Sequence, residues 1–285
     1  MTRLFITFLV LFASISLNAQ CVSGDCFGGK GVMNLPNGDK YTGQFKGGMR
    51  NGFGTYKSAI GDQYSGNWEK DMQSGEGEFW GANGDYYKGA WKKGMMSGKG
   101  TFHFQNGNVY TGNWIDDEMT GEGTMKFATG STLKGVWADS KVSGIATYTY
   151  ANGDVYEGQI ANNKRQGNGK MTYANADIYD GNWIAGLRQG KGTMSFANGN
   201  KFTGEWSAGQ MNGKGVYVFA VSGNIYEGDM RNNKQEGKGK VTYSNGDVVN
   251  GTWTSGKLNG NANYNYANGK SETLTYVNGV KITTN

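Results

Sequence analysis

The sequence has few of the residue types on which most catalytic and metal sites depend. Among 285 residues there is one histidine, His103, and there are two cysteines, Cys21 and Cys26. These residues do not have the Cys/His spacing that holds zinc. The sequence also contains no Ser/His/Asp or Cys/His pattern for nucleophilic catalysis. We therefore expect neither an enzyme nor a bound metal or cofactor.

Long apolar runs are also missing, except at the N-terminus. Arg3 is followed by an apolar run over residues 4–17, and the small residue Ala19 precedes Gln20. This run of fourteen residues is too short to span a bilayer, which needs about 20 apolar residues, but it fits a secretory signal. We interpret residues 1–19 as a signal peptide. The chain is then expected in the periplasm, on the cell surface or outside the cell.

The two cysteines lie directly after the predicted cleavage site. A disulfide between Cys21 and Cys26 fits an exported chain. The alternative is a lipid anchor on Cys21, although Gln20 stands where a small residue would be expected. Two cysteines in a sequence do not decide between the two.

Glycine is abundant, with 50 residues, and it recurs at a fixed period. Aligning the chain on a mostly aromatic position, called position 1, gives ten copies in steps of 23 residues, with one step of 24. Positions 3 and 12 are always glycine, position 14 is glycine except at Ala146 and Ala262, and position 5 is tryptophan in seven copies. Position 1 is occupied by Tyr41, Tyr64, Tyr87, Tyr110, Leu133, Tyr156, Tyr179, Phe202, Tyr226 and Val249.

Apolar and polar residues alternate through both halves of each copy, which is typical of β-strands. The Asn-Gly pair at positions 20 and 21, as in Asn83-Gly84, predicts a type I′ turn, in which both central residues have positive φ. A second turn ends at position 8. Each copy is therefore predicted to be one hairpin. The predicted fold is an all-β, elongated single-sheet antiparallel β-hairpin repeat solenoid.

The period also predicts which residues share a face of the sheet. Positions 1, 3 and 5 should lie on one face together with positions 12, 14, 16 and 18, and we call this the ring face. A glycine on the neighbouring strand would let a large ring lie flat over the backbone. Residues 20–40 form an N-terminal segment with a partial repeat, residues 41–271 form the ten repeats, and residues 272–285 form a half repeat that caps the C-terminus.

The pattern Y-x-G-x-W-x-x-G-x-x-x-G-x-G resembles the MORN repeat (membrane occupation and recognition nexus), and it extends over about residues 28–279. The resemblance implies a hairpin-repeat interaction module, and it suggests protein partners, homodimerisation and association with lipid. The aromatic positions depart from the pattern at Leu133, Ile160, Met230 and Val249.

The position-5 tryptophans are the first candidate binding residues. We expect these rings to stack as a core. A single sheet has no second layer to cover them, however, so the same rings are candidates for contact with a protein or with sugars. The candidates are Trp68, Trp91, Trp114, Trp137, Trp183, Trp206 and Trp253.

Charge provides the second candidate surface. Positions 6–11, called the basic edge, carry twelve basic and seven acidic residues, whereas positions 19–23, called the acidic edge, carry two basic and five acidic residues. Polar turns keep a protein soluble, and a charged edge also attracts anionic surfaces. Nucleic acid is not an expected partner, because the field is modest and the chain is exported. The basic-edge candidates are Lys46, Arg50, Lys92, Lys93, Lys164, Arg165, Arg188, Arg231 and Lys234.

These features favour a non-catalytic scaffold that binds an envelope or extracellular protein, with homodimerisation as a further expectation. The alternative is a module that binds cell-wall carbohydrate or an anionic lipid surface. Regular aromatic rings favour the carbohydrate, and the basic edge favours the lipid.

The signal-peptide interpretation makes a direct prediction. Protein recovered from outside the cytoplasm should begin at Gln20, because cleavage is expected after Ala19. Intact-mass spectrometry of the exported chain checks this. A mass that still includes residues 1–19 would contradict the interpretation, and an added lipid mass would identify Cys21 as an anchor.

Overall fold

A computed structural model describes residues 19–282, and the predicted signal sequence up to residue 18 lies outside the described residues. The chain divides into two compact units, residues 1–143 and residues 144–285. The described residues form 25 strands and no helix. Within residues 19–282 there is accordingly no helix suited to crossing a membrane. The predicted all-β antiparallel hairpin repeat is confirmed.

The first unit contains eleven strands and the beginning of the twelfth. They are β1 (Gln20–Gly24), β2 (Lys30–Asn34), β3 (Lys40–Lys46), β4 (Met49–Lys57), β5 (Gln63–Glu69), β6 (Met72–Trp80), β7 (Tyr86–Lys92), β8 (Met95–His103), β9 (Val109–Ile115), β10 (Glu118–Lys126), β11 (Thr132–Ala138) and β12 (Lys141–Thr149). From β1 to β11, each strand pairs antiparallel with the next strand in the sequence.

The second unit continues the same order. Its remaining strands are β13 (Val155–Ala161), β14 (Lys164–Thr172), β15 (Ile178–Ile184), β16 (Leu187–Ser195), β17 (Lys201–Ser207), β18 (Gln210–Val218), β19 (Ile225–Arg231), β20 (Lys234–Thr242), β21 (Val248–Thr254), β22 (Lys257–Leu258), β23 (Gly260–Asn265), β24 (Ser271–Val277) and β25 (Val280–Ile282). Antiparallel pairing again joins neighbours, and β21 pairs with both β22 and β23.

The Asn-Gly turn of the repeats differs from the sequence prediction. At Asn83-Gly84, φ is positive at Gly84 (94°) and not at Asn83. The N–H of Gly84 donates to the carbonyl of Gly81 at 2.9 Å, which is the pattern of a three-residue loop with one left-handed glycine. The predicted type I′ geometry occurs instead at the other turn, where Asp116 and Asp117 both have positive φ (49° and 67°). A two-residue loop needs that geometry at both residues.

Position 12 is a second correction. The prediction placed it on the ring face, but the strand pairing is interrupted there, as between Gly43 and Phe45 opposite β4. Gly52 has a φ of 88°, and a Cβ added to it would meet the side chain of Gln44 on the opposite, polar face. The glycine at position 12 is therefore a bulge residue with left-handed backbone, and it makes no room for a ring.

Positions 3 and 14 carry the glycines that do make room for a ring. Gly112 pairs with Gly123 across β9 and β10, and Tyr110 lies over this pair with no exposed surface. A Cβ on Gly112 would meet the Tyr110 hydroxyl and would lie 2.7 Å from the Cα of Gly123. The ring that needs the glycines is thus the position-1 tyrosine rather than the tryptophan.

The repeat of 24 residues keeps its strand register. Val218 pairs with Ile225 at the ends of β18 and β19. The extra residue lies in the turn between them, where Val221 is almost fully exposed. The insertion therefore leaves the ring face of that repeat unchanged.

The glycine contact predicts a large destabilisation on substitution. Gly112→Val should lower the free energy of unfolding by at least about 2 kcal/mol, because the new side chain overlaps a buried ring and the facing backbone. Urea unfolding followed by tryptophan fluorescence measures the change. Thr111→Val is the matched control, since it adds the same side chain on the exposed face of the same strand. Equal midpoints for the two variants would contradict the packing described here.

Candidate functional site

The tyrosine and tryptophan rings of the ring face form a ladder that is continuous from Tyr41 to Trp137 in the first unit and is interrupted at Met230 in the second. Tyr64 contacts Trp68 edge-on in its own strand (centroids 5.2 Å, 87°) and Trp91 of the next repeat in the same way (5.1 Å, 84°). Its hydroxyl donates to the carbonyl of Asn67 at 3.0 Å. Edge-to-face packing of this kind adds about 0.5–1.5 kcal/mol per pair beyond the buried area. Burial also raises the pKa of these tyrosines, to about 12 for Tyr179.

All seven candidate tryptophans belong to this interior. Their exposed fractions lie between 2% and 6%. In six of the seven, all except Trp253, the indole N–H donates to a backbone carbonyl one repeat earlier, as in Trp183, which donates to the carbonyl of Gly169 at 2.8 Å. Buried and hydrogen-bonded, the tryptophans are structural residues, and they are not the surface that a partner would meet first.

A different row of rings is half-exposed. Position 18 is aromatic in eight consecutive repeats. In the four of these repeats that also have an aromatic residue at position 16, the two rings meet at 45–46°, as in Tyr148 and Tyr150. The sequence prediction overlooked this row as a candidate, although its recurrence was the available signal. Its members are Phe104, Phe127, Tyr150, Tyr173, Phe196, Phe219, Tyr243 and Tyr266.

In the second unit, part of this row lines a groove on the ring face. The groove has a volume of about 600 Å³. The side of the groove nearer the acidic edge of the repeats is lined by Tyr173, Phe196 and Met194. The side nearer the basic edge is lined by Trp206, Met211 and Arg188. The lining is completed by Asp154, Ala174, Asn175, Asp177 and Asn233. Aromatic residues, methionine and arginine in a concave surface are typical of the centre of a protein interface.

A second hollow lies on the polar face of the same unit. It is wider, at about 1160 Å³, and its floor consists of paired glycines such as Gly204 and Gly215. Lysines and acids alternate along its walls and neutralise one another, since Lys214 pairs with Asp229 at 3.5 Å and Lys240 pairs with Glu227. Few apolar side chains line it, so it offers less contact area for a specific partner than the ring-face groove.

The acidic edge has a structural role. The side chain at position 22 accepts a hydrogen bond from the backbone N–H at position 19 of the next repeat, as in Asp177, which accepts from Ala197 at 2.8 Å. The acceptors of this kind are Asp39, Asp62, Asp85, Asn108, Asp154, Asp177, Asn200, Asn224 and Asp247. Aspartate and asparagine are interchangeable here because the bond needs only one side-chain oxygen.

The other turn links neighbouring repeats in the same manner. The N–H of Asp117 donates to the carbonyl of Met96 at 3.2 Å, and its carboxylate accepts from the N–H of Met96 at 2.8 Å. Burial raises the pKa of Asp117. Within the acidic run 116–118, Asp117 therefore links two repeats. The described residues contain no group of three potential metal ligands.

The basic-edge candidates fall into two groups. Lys46, Lys92, Lys93, Lys164, Arg231 and Lys234 are exposed. Arg50, Arg165 and Arg188 are half-buried at position 10, and their guanidinium groups stack on Trp68, Trp183 and Trp206 at 4.3, 4.2 and 4.5 Å. Counted by unit, the basic edge carries six basic and six acidic residues up to residue 143, but six basic and one acidic residue after it. The positive charge thus belongs to the second unit.

Cys21 and Cys26 are joined by a disulfide, with their Cα atoms 6.0 Å apart. The bond closes the loop between β1 and β2. Phe27 in this loop accepts a hydrogen bond through its carbonyl from the N–H of Gly48 at 2.9 Å. The disulfide loop therefore packs against the turn of the first full repeat, as a cap would.

Comparison with known proteins gives one family and weak structural similarities. The MORN repeat family matches residues 41–63, 64–86, 87–109, 110–132, 134–155, 156–178, 179–201, 202–223, 226–248 and 250–271. Comparison with curated protein sequences gives no significant match.

Two solved structures illustrate the structural similarity. The TCP10 domain of Danio rerio CPAP, solved with a peptide of Danio rerio STIL, is 10% identical over 87% of this chain and 99% of that chain, with a TM-score of 0.40. The TCP domain of Drosophila melanogaster SAS-4, solved with a proline-rich motif of Ana2, is 18% identical over 62% of this chain and 90% of that chain, with a TM-score of 0.38.

The acidic edge predicts a pH dependence of stability. Asp247 accepts hydrogen bonds from the Tyr264 hydroxyl at 2.7 Å and from the N–H of Ala267 at 2.9 Å, and these lower its pKa. A lowered pKa stabilises the folded state above the ordinary aspartate value of about 3.9, and this contribution is lost as the pH falls through the folded-state pKa. The stability difference between wild type and Asp247→Asn should therefore shrink as the pH is lowered below about 4.

Urea midpoints measured from pH 7 to pH 2.5 test this dependence. Tyr264→Phe serves as the companion variant. It removes the hydrogen bond that contributes most to lowering the pKa of Asp247, so it should weaken the pH dependence without removing the carboxylate. A difference that stays constant over the whole range would show that the bonds do not favour the ionised form.

Proposed function

Because the chain belongs to the MORN repeat family, with ten repeats over residues 41–271, we propose that it is a non-catalytic interaction scaffold. Its partner in this proposal is a protein of the cell envelope or the extracellular space, since the N-terminal sequence has the form of an export signal. The observation that carries the proposal is the ring-face groove, with its half-exposed rings Tyr173 and Phe196.

The repeat architecture supports this choice of surface. Both turns of the repeats are occupied by hydrogen bonds that link one repeat to the next, and the tyrosine and tryptophan ladder is buried. Of the groove rings, Phe196 packs against Tyr217 with centroids 6.0 Å apart, and both Tyr173 and Phe196 keep exposed area. Rigid aromatic rings lose little conformational entropy when a partner covers them, so they make effective anchors.

The second candidate is a carbohydrate or anionic lipid surface. The regular row of position-18 rings favours stacking on sugars, and the basic edge of the second unit favours an anionic headgroup. Homodimerisation through the same groove is a third arrangement compatible with a protein-binding scaffold.

Capture from an envelope extract of the host, with the full chain as bait, tests the proposal. A protein recovered at a stoichiometric level should be lost from the double variant Tyr173→Ser/Phe196→Ser. Removing two aromatic anchors should reduce recovery at least about tenfold, since each such residue at the centre of an interface contributes roughly 2 kcal/mol or more.

Ile145→Ser is the matched control, because Ile145 is an exposed apolar residue (76%) of the opposite face in the same unit. Equal recovery with the groove variant and with the control would rule out this groove as the contact. Recovery of glycan or lipid without protein would favour the second candidate. Circular dichroism melting of each variant shows whether the fold is retained.

A further inference from the structure

The arginines at position 10 have guanidinium groups that contact tryptophan rings. Arg50, Arg165 and Arg188 each lie over the tryptophan of the following repeat, with Cζ between 4.2 and 4.5 Å from a ring centre. Contact with the ring restricts the position of the guanidinium group, which carries five N–H donors in a planar fork. A planar guanidinium held in this way is suited to bind a carboxylate through more than one hydrogen bond.

In the first unit that carboxylate is part of the chain. Asp71, at position 8 of the next repeat, accepts from Nε of Arg50 at 3.1 Å and from its backbone N–H at 2.8 Å. The backbone carbonyl of Asp71 accepts from the Arg50 NH2 group at 2.8 Å. The arginine thus bonds both a carbonyl and a carboxylate of one residue.

In the second unit, Arg165 and Arg188 have the same backbone carbonyl acceptor as Arg50 but no carboxylate partner. Arg165 donates to the carbonyl of Gly186 at 2.7 Å, and Arg188 donates to the carbonyl of Gly209 at 2.5 Å. A Cβ added to Gly186 would have no heavy atom within 4 Å, and one added to Gly209 would meet only Leu187, at 4.0 Å. The space that the Asp71 side chain fills in the first unit is therefore open at both of these sites.

No acidic residue among the described residues of the second unit takes the place of the Asp71 carboxylate. Within residues 19–282, neither Arg165 nor Arg188 has an ion-pair partner within 4.0 Å. Glu236, the one acid of the basic edge in this unit, accepts the N–H of Ser255 at 2.9 Å. Both arginines are also half-buried, so a bond between their guanidinium groups and a carboxylate is less screened by solvent than one at an exposed lysine.

We infer that Arg165 and Arg188 are two carboxylate-binding sites, each of which takes an Asp or Glu side chain from an extended acidic segment of the partner protein. The inference rests on the proposed scaffold function and specifies the chemistry of the partner. The partner's carboxylate takes the place that Asp71 occupies beside Arg50. The exposed Lys164, Arg231 and Lys234 add a field that draws an acidic segment to this edge.

The spacing of the sites indicates the form of the segment. The arginines are one repeat apart, which is two strands or about 9.6 Å at the usual strand separation. A polyproline II segment brings every third side chain to the same side, about 9.3 Å further along. Acids three residues apart in such a segment would therefore reach both arginines.

A synthetic peptide tests the sites directly. Fluorescein-labelled (Glu-Pro-Pro)4 is the probe, because a residue before proline is held extended. Its binding to the full chain is measured by fluorescence anisotropy. We expect binding that weakens about tenfold for Arg165→Gln and for Arg188→Gln, and no binding of (Gln-Pro-Pro)4. Equal binding of the two peptides would overturn the inference.

The glycines allow a sharper variant that leaves both arginines in place. Gly186→Asp/Gly209→Asp supplies internal carboxylates, as Asp71 does, and should abolish binding of the Glu peptide. Asp71 and Asp117 occupy this repeat position with φ of 67°, so the backbone accepts aspartate. Gly186→Ala/Gly209→Ala is the matched neutral control. It adds only a Cβ, which meets no heavy atom nearer than 4.0 Å, and it leaves the rest of the space to the partner, so it should bind like wild type. If the aspartate and alanine variants bind equally, the inference fails.

Two further measurements distinguish an anionic lipid from an acidic protein segment. They also distinguish failure of this inference from failure of the scaffold proposal. Retention of the chain on phosphatidylglycerol vesicles, with no binding of the Glu peptide, would assign the edge to lipid and overturn the inference. Capture of an envelope protein that is not weakened by Gly186→Asp/Gly209→Asp would overturn it as well, while the scaffold function stands. If no protein is captured at all, the scaffold proposal fails, and the peptide measurement still decides whether the arginines bind carboxylates.

Discussion

The structure depends on the contact between a tyrosine ring and a pair of glycines that face each other across two strands. Wherever Gly43 meets Gly54 or Gly112 meets Gly123, the position-1 ring lies directly on backbone. Any Cβ at these sites would overlap the ring or the facing strand. The ring in turn provides the edge-on contact for two tryptophans, and the glycine carbonyl accepts an indole N–H. A sheet of this kind can therefore bury large rings with little material above them.

The polar residues of the turns also have a structural role. Positions 8 and 22 are often aspartate or asparagine, and the aspartates would suggest an electrostatic surface if only charges were counted. In the structure they accept backbone N–H groups of the neighbouring repeat. Their recurrence follows from the need to satisfy turn backbone at each junction between hairpins. The surfaces proposed for a partner are therefore the half-exposed groove rings Tyr173 and Phe196 and the arginines that have glycine at position 8 of the next repeat.

The two halves of the chain use one architecture with different side chains at the basic edge. In the first half Arg50 is satisfied by Asp71, and the edge is neutral as a whole. In the second half Arg165 and Arg188 face Gly186 and Gly209, and the edge is positive. The groove lined by Tyr173, Phe196 and Arg188 lies in this half. Apolar anchors and unpaired positive charge thus occur together, which is the arrangement expected of a surface that binds an acidic, partly apolar segment.

The sequence by itself determined the hairpin period, the strand faces and the identity of the repeat, because spacings of 23 residues and alternation of period two follow from backbone geometry alone. It could not determine which turn has type I′ geometry or that position 12 is a bulge, since Asn, Asp and Gly tolerate several left-handed conformations. Only the tertiary structure decided that the tryptophans are covered, that Asp177 and Asp117 link repeats, and that the space beside Arg165 and Arg188 is open. The reason is that these properties belong to pairs of residues about 20 positions apart, and whether such residues meet is fixed by how one hairpin packs against the next.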